Sequence, residues 1–255
     1  MSSSPQAHRG PLWRRFAAGV ADLLYPPICA ACEDDLGAEY DEARLCAPCR
    51  ARLVEPQANR CPKCAARVAP TFRDGDCPWC RDHDLRFDRT FTLGNYTDDL
   101  RDAVLRSKHG GSESLTAGLT LLLFRRYETA IRELNVDLVA PIPMYWLRRI
   151  RRGHSGPEVS ADVLARLLQV KNYPHLLARK RNTQPQAGLS ITARHENVRH
   201  AFAVRGKRRV QGRRVLLVDD VLTTGATCSE AARVLKQAGA ALVVVVVPAR
   251  AQGET

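Results

Sequence analysis

Residues Val215 to Thr227 read V-L-L-V-D-D-V-L-T-T-G-A-T. Two adjacent acids, Asp219 and Asp220, follow a short apolar run. Carboxylates placed at the end of a buried strand can accept hydrogen bonds from a ribose diol or hold Mg²⁺ through water. Thr223, Thr224, Gly225, Ala226 and Thr227 come next, with a helical pattern from Cys228 to Gln237 behind them. Successive backbone N–H groups and three hydroxyls at a helix start form a cradle for a phosphomonoester. No lysine follows as in a Walker A loop, which argues against ATP hydrolysis of that type. The acid pair by itself is as easily an acidic turn before a capped helix; the whole run from strand to helix is what carries the nucleotide-type reading.

A second set of chemically able residues stands before residue 90. Cys29/Cys32, Cys46/Cys49, Cys61/Cys64 and Cys77/Cys80 form four C-x-x-C pairs. Two such knuckles supply the four thiolates of one tetrahedral zinc site. Eight thiolates therefore hold up to two structural Zn²⁺ ions. The spacers Glu33–Leu45 and Ala65–Asp76 suit pairing of consecutive knuckles, and a crossed pairing of first with third and second with fourth stays open. Closed four-thiolate sites are structural and not catalytic. They also compensate for the few large apolar residues of this segment. The ninth cysteine, Cys228, follows the glycine-bearing loop. It is either a thiol activated by a helix N-terminus or a small buried filler, and the filler is the plainer reading.

The elements that must position these groups can be read from pattern. Leu12 to Leu24 has apolar residues at helical spacing, and Pro26-Pro27 stops it. Packing against the cysteine module is the plainer role for such a helix, and membrane contact the alternative. A partly alternating run, Phe87 to Tyr96, suggests a strand. Thr97-Asp98-Asp99 opens a helix that ends at Gly110-Gly111. Glu113 to Leu134 is a longer helix, Val136 to Ala140 a strand closed by Pro141-Ile142-Pro143, and Pro157 to Leu168 a further helix. Arg179 to Val198 shows no period and is long for a loop; such segments are either functional lids or disordered. Ala201–Val204, Val215–Val218 and Leu242–Val247 are expected strands. Strands separated by helices indicate an α/β fold with a mostly parallel sheet. The organisation expected is a tail and amphipathic helix over 1–25, a cysteine module over 26–86 and an α/β domain over 87–255.

Charge is unevenly placed. The net charge is +12, yet residues 1–90 hold 13 Lys/Arg against 13 Asp/Glu, and residues 91–255 hold 26 against 14. Basic runs lie at Arg148–Arg152, Arg179–Arg181 and Arg205–Arg214. Such a domain should attract anions, either phosphorylated substrates or single-stranded DNA, and the plainer reading of each run is a solvated surface. Metal-loaded cysteines add about −4 to the balanced N-terminal segment. That weakens the case for DNA contact by this segment and puts protein docking or packing against the rest of the chain on at least an equal footing. The longest apolar run, Ala240 to Ala249, is too short to span a membrane, which takes ~20 residues. Arg14-Arg15 is not followed by an apolar segment with a cleavage site, so the expected location is cytoplasmic.

These pieces together resemble a known family. The run from Val215 to Thr227 looks like the phosphoribosyl pyrophosphate (PRPP) motif of type I phosphoribosyltransferases. Around it stand the four knuckles, Lys108-His109-Gly110, Pro141-Ile142-Pro143 and Arg152-Gly153. Arg181 to Leu189, Arg194 and Asn197 to Phe202 complete the series. The series, over about residues 26 to 250, resembles the ComF family: a double zinc ribbon fused to a type I phosphoribosyltransferase-like domain and associated with competence and DNA uptake. The resemblance implies Mg²⁺-dependent transfer of a phosphoribosyl group from PRPP through an oxocarbenium-like centre, with no protein nucleophile. It assigns Asp219 and Asp220 to the ribose, and Val218, Val221 and Thr223 to Thr227 to the rest of the motif. Pro141, Ile142 and Pro143 would approach the pyrophosphate. Lys180 and Arg181, beside Arg179, would close as a cationic lid, and Lys108 and Arg152 would add further charge. A helicase or DNA-uptake protein is the implied partner. The chain departs from the family after Arg152-Gly153, where His154-Ser155-Gly156 replaces an aromatic-Asn-Gln type sequence; this bears on turnover more than on binding.

Overall fold

The computed structural model describes residues 27–37, 40–56, 59–73, 75–109, 111–144, 155–181, 183 and 190–251. The expected helix over Leu12–Leu24 lies outside the described residues, as do the run Arg148–Arg152, His154 and residues 184–189.

Two short helices occupy the cysteine segment: α1 (Ala47–Leu53) and α2 (Pro78–Asp82). Each starts at the first cysteine of a knuckle and carries a proline in its first turn. There the missing N–H costs no hydrogen bond, and the fixed φ suits a helix start. Strands β1 (Arg89–Phe91) and β2 (Gly94–Asn95) divide the expected strand in two. Helix α3 (Asp98–Arg106), helix α4 (Glu113–Glu133), strand β3 (Leu138–Pro141) and helix α5 (Gly156–Leu168) follow near their expected positions. Then come β4 (Lys171–Asn172), β5 (Leu177–Arg179), α6 (Ile191–Val198) and β6 (Phe202–Val204). The last elements are β7 (Arg214–Val218), β8 (Val221–Leu222), α7 (Ala226–Gln237), β9 (Leu242–Val246) and β10 (Ala249–Arg250).

The main sheet is wholly parallel, in the order β1-β9-β7-β3-β4. Strand β7, which ends in Asp219-Asp220, is central: Leu216 sits opposite Val139 on one side and Val244 on the other. A small parallel sheet, β2-β10-β8, continues beyond the carboxyl ends, and β5 and β6 form a separate antiparallel ribbon. Two expectations are corrected here. The segment over Ala201–Val204 is a strand of that ribbon and not of the parallel sheet. Part of the expected long loop is helix α6, opened by Ser190, whose hydroxyl accepts from the Ala193 amide at 3.3 Å. A capping hydroxyl of this kind starts a helix that few apolar residues announce.

The run Val215-Leu216-Leu217-Val218 has no solvent exposure. A strand covered on both faces reads as a continuous apolar run. Because side chains alternate, its residues divide between two cores. Val139, Leu216, Val218, Val244 and Val246 face a core with residues of α4 and α5, and Leu138, Val215, Leu217, Val243 and Val245 face one with α7. The cysteine segment divides in the same way. Cys29, Leu45, Cys49 and Leu53 belong to the first core, and Cys61, Cys64, Cys77, Leu85 and Phe87 to the second. Each half of the segment thus packs on its own face of the sheet. On the first face Gly118 of α4 makes the approach possible: a Cβ there would lie 2.5 Å from the Ala43 carbonyl oxygen.

Candidate functional site

Central strand β7 delivers Asp219 and Asp220 to its carboxyl end, where open parallel sheets bind ligands. Strand β3 ends alongside: Pro141 is in register with Val218, and the Ile142 amide donates to the Val218 carbonyl at 2.8 Å. The Pro141-Ile142-Pro143 turn is therefore held next to the acid pair.

Asp219 is the more constrained acid. One carboxylate oxygen accepts from the Asp220 amide at 2.9 Å, and the other accepts from the Cys228 thiol at 3.6 Å. Burial pushes its carboxyl well above the usual range, repulsion from Asp220 adds to this, and these bonds and Lys108 oppose it. Asp220 reaches the Lys108 ammonium at 2.9 Å, a pair about one-third exposed on each side. Burial works against the charge on Lys108, but Asp220, Tyr96 and Asp219 outweigh it and hold the ammonium above its ordinary value. Lys108 lies just past the end of α3, so that helix positions the cation opposite the acids. Cys228 is the buried filler expected, with its thiol pushed well up by burial and by Asp219. Its hydrogen bond to Asp219 was not readable from the sequence.

The loop after β8 is tightly held. The Thr224 hydroxyl, on a buried residue, accepts from the Ala226 amide at 3.3 Å. Gly225 has φ +82°, a conformation that L side chains rarely adopt, and a Cβ there would lie 2.9 Å from Leu85 Cδ2. Helix α7 begins at Ala226, so its N-terminus opens onto this loop. The arrangement offers an anion the positive end of a helix dipole beside two carboxylates and a lysine.

The basic groups expected to form a lid follow strand β5. The Lys180 amide donates to the Ala201 carbonyl at 2.7 Å, and Arg181 donates to the Asn197 carbonyl at 3.0 Å, which ties the end of β5 to α6 and β6. Arg152 lies outside the described residues.

The eight knuckle cysteines gather as two groups, Cys29/Cys32/Cys46/Cys49 and Cys61/Cys64/Cys77/Cys80, with the sulfurs of each within 4.8 Å of one another. Consecutive knuckles pair, and the crossed alternative falls. The fit to zinc is direct. Four sulfurs at the ordinary Zn–S distance stand about 3.8 Å apart along each tetrahedron edge. Cys32–Cys46 is 3.7 Å, Cys61–Cys80 3.7 Å and Cys64–Cys77 3.6 Å. Backbone amides support the thiolates: those of Ala31 and Cys46 donate to Cys29 Sγ at 3.4 and 3.3 Å. Burial opposes the charge on Cys29, but these amides and that of Cys32 bring its thiol down to about 6. Such outer contacts fix ligand orientation.

One residue connects a cluster to the loop, and sequence reasoning passed over it. Arg250, fully buried on β10, donates to the carbonyls of Cys64 at 3.0 Å and Leu222 at 3.0 Å, and also to those of Thr223 and Ala251. Its guanidinium carbon lies 4.7 Å from the Trp79 ring centroid, and Trp79 stacks on His83 at 4.3 Å. Burial lowers its pKa to about 10 against the attraction of Cys64, Cys77 and Cys80, so it stays charged at neutral pH. The available signal was a lone arginine closing an apolar strand run, where a charge is kept only with partners.

A central parallel strand ending in an acid pair, a glycine-bearing loop on a helix start, and two four-cysteine clusters define a type I phosphoribosyltransferase-like α/β protein with an N-terminal double zinc ribbon. Residues 154–255 match the phosphoribosyl transferase domain family, and residues 20–82 match the double zinc ribbon domain family. The chain is 30% identical over 232 residues to the DNA utilization protein YhgH of Salmonella typhimurium, covering 88% of this chain and 96% of that protein. It is 28% identical over 199 residues to competence protein F of Haemophilus influenzae, covering 76% and 85%. An orotate phosphoribosyltransferase of Rhodopseudomonas palustris is 30% identical over 130 residues, covering 50% and 58%. The chain belongs to the ComF family. Its cysteine clusters are structural zinc sites of the double-ribbon type.

Proposed function

We propose that this protein binds PRPP with Mg²⁺ at the end of β7 and transfers its phosphoribosyl group to a nitrogen acceptor, in a process linked to competence and DNA uptake. The observation that carries the reading is the Lys108–Asp220–Asp219 constellation, set directly before the Thr223–Thr227 loop at the start of α7. Asp219 and Asp220 accept hydrogen bonds from the two ribose hydroxyls. The loop amides and hydroxyls hold the 5′-phosphate. The Pro141-Ile142-Pro143 turn offers backbone groups to the pyrophosphate, and Lys108 keeps the acid pair from carrying two uncompensated charges. Lys180 and Arg181, which directly follow β5, close over the pyrophosphate as a cationic lid. Arg152 supplies a further cation. Mg²⁺, when bound, neutralises charge on the departing pyrophosphate. The competence link rests on the relatives named above.

Calorimetry with PRPP and Mg²⁺ tests this. The double variant Asp219→Asn, Asp220→Asn should bind at least about a hundredfold more weakly, since each acid makes a charge-assisted hydrogen bond worth about 1.5–3 kcal/mol. Wild-type affinity in that variant would refute the assignment. A second reading, single-stranded DNA binding, is favoured by one observation: Arg205, Lys207, Arg208 and Arg209 are all exposed in one short stretch. If it holds, Lys207→Ala with Arg208→Ala should weaken oligonucleotide binding and flatten its dependence on salt. Unchanged salt dependence would dismiss it. Docking of the ribbons onto a helicase or DNA-uptake protein completes the proposed picture.

A further inference from the structure

Arg250 stands between two parts of the molecule that serve different ends, the second cysteine cluster and the loop before α7. It binds the Cys64 carbonyl on one side and the Leu222 and Thr223 carbonyls on the other. The described peptide bonds are trans. In a planar trans peptide the C=O and the following N–H point in opposite directions. Arg250 shares the Leu222 carbonyl with the Ala251 amide, which donates to it at 2.9 Å, and also holds the Thr223 carbonyl, so the amides of Thr223 and Thr224 turn away from the guanidinium. Those amides open the loop read above as the phosphate cradle. A cradle of this kind works only if its donors are aimed before the anion arrives.

The cysteine cluster in turn holds Arg250. Cys64 supplies a carbonyl, Trp79 lies between Pro78 and Cys80 and presents its ring to the guanidinium, and Cys64, Cys77 and Cys80 attract its charge. A zinc ion with four thiolates carries a net charge of about −2, so the buried guanidinium is also a counter-charge. Among the described residues, Arg250 Nη2 has no hydrogen-bond partner. A lysine in its place could keep the charge, but its single ammonium cannot span Cys64, Leu222 and Thr223 at once.

We propose that Arg250 is a positioning residue through which the second zinc ribbon sets the orientation of the phosphate-loop amides. The proposal deepens the PRPP reading and rests on it for the identity of the anion, though not for the connection itself. By linkage, a ligand on the loop must also stabilise the ribbon by the same factor.

The experiment uses the full, zinc-loaded chain with hydrogen exchange, zinc release to a chelator, and PRPP–Mg²⁺ calorimetry. Arg250→Lys should speed amide exchange over 223–228 at least tenfold while leaving β3 and β9 unchanged. Cys77→Ser with Cys80→Ser, which opens the second ribbon, should do the same at a distance. In the wild type, PRPP should slow release of one of two zinc ions; in Arg250→Lys that slowing should disappear and PRPP should bind at least tenfold more weakly. Wild-type loop exchange in Arg250→Lys overturns the proposal, as does an increase spread evenly over the sheet. If the wild type binds no PRPP while Arg250→Lys still frees the loop, the PRPP reading falls and the positioning role stands. Should Arg250→Lys fail to fold, Trp79→Leu, which removes the ring beside the guanidinium, carries the test by the same exchange readout.

Discussion

Replacing Gly225 by alanine tests the loop and its support in one step. Two costs act in the same direction. The backbone at φ +82° is one in which an L residue costs about 1–2 kcal/mol over glycine. The new Cβ would also stand 2.9 Å from Leu85 Cδ2, a contact that must open by several tenths of an ångström. Leu85 is buried in the second core, but the contacting atom is the tip of a rotatable side chain, so this adds only about 0.5–1 kcal/mol. The backbone cost therefore dominates, and the sum is about 1.5–3 kcal/mol. For a chain of this size it lowers the unfolding midpoint by roughly 3–12 °C. Thermal unfolding of the zinc-loaded protein measures it, and calorimetry with PRPP and Mg²⁺ should show weaker binding through the displaced loop. Adding Leu85→Ala separates the two costs by a double-mutant cycle. Relief of the contact should recover only the smaller part. If Gly225→Ala in the Leu85→Ala background costs nothing, the conformational argument is wrong.

Two further predictions concern how the ribbons are fixed to the sheet. Glu55 is paired with Arg60 and Arg67 and accepts from the Asn95 amide at 2.7 Å. Burial opposes its ionisation, but Arg67, Asn95 and Arg60 prevail and hold the carboxyl below its ordinary value. Its stabilisation is thus complete above the unfolded value of about 4.3 and fades as pH falls through the lower folded value. Glu55→Gln should cost about 1.5–3 kcal/mol at pH 7. The gap to wild type, read by denaturant unfolding so that zinc loss cancels, should close below pH 4; a pH-independent gap would contradict the pairing. Gly118→Ala sets helix propensity, a gain of about 1 kcal/mol, against the Ala43 carbonyl, which is backbone and cannot rotate away. The clash should win. Zinc should leave the first cluster faster, and a higher unfolding midpoint with unchanged release would show the approach to be looser than 2.5 Å.

What could be read from the sequence followed from local periodicity. Val215–Val218 and Leu242–Val246 announce strands because both faces are buried, so nearly every residue is apolar. Helices α4 and α5 are long enough for their pattern to show. Strands β4, β8 and β10 have two residues each, too few for any alternation to appear. Helix α6, I-T-A-R-H-E-N-V, has little apolar periodicity and depends on its Ser190 cap. The acid pair, the loop and the knuckles were legible because their chemistry is contiguous. Consecutive pairing of the knuckles became visible only in space. Lys108 and Asp220 lie 112 positions apart, and Arg250 reaches Cys64 across 186. No spacing rule covers contacts of that range; the resemblance brought Lys108 forward, and nothing brought Arg250.

The placement of one ribbon on each face of the sheet has a consequence for the protein's life in a cell. A zinc module hung on a linker could lose its metal and leave the neighbouring domain intact. Here the ribbons share the cores of the sheet, with Leu45 and Leu53 on one face and Leu85 and Phe87 on the other, so loss of either ion should uncover apolar side chains of the corresponding core. Exposed surface of that kind is what proteases and chaperones sort on, and a loss of about 1–2 kcal/mol already changes abundance several-fold. Zinc shortage should therefore lower the amount of this protein before it impairs any molecule that remains. Comparing its steady-state level with its activity per molecule under zinc limitation would decide the point, and constant abundance with falling activity would overturn it.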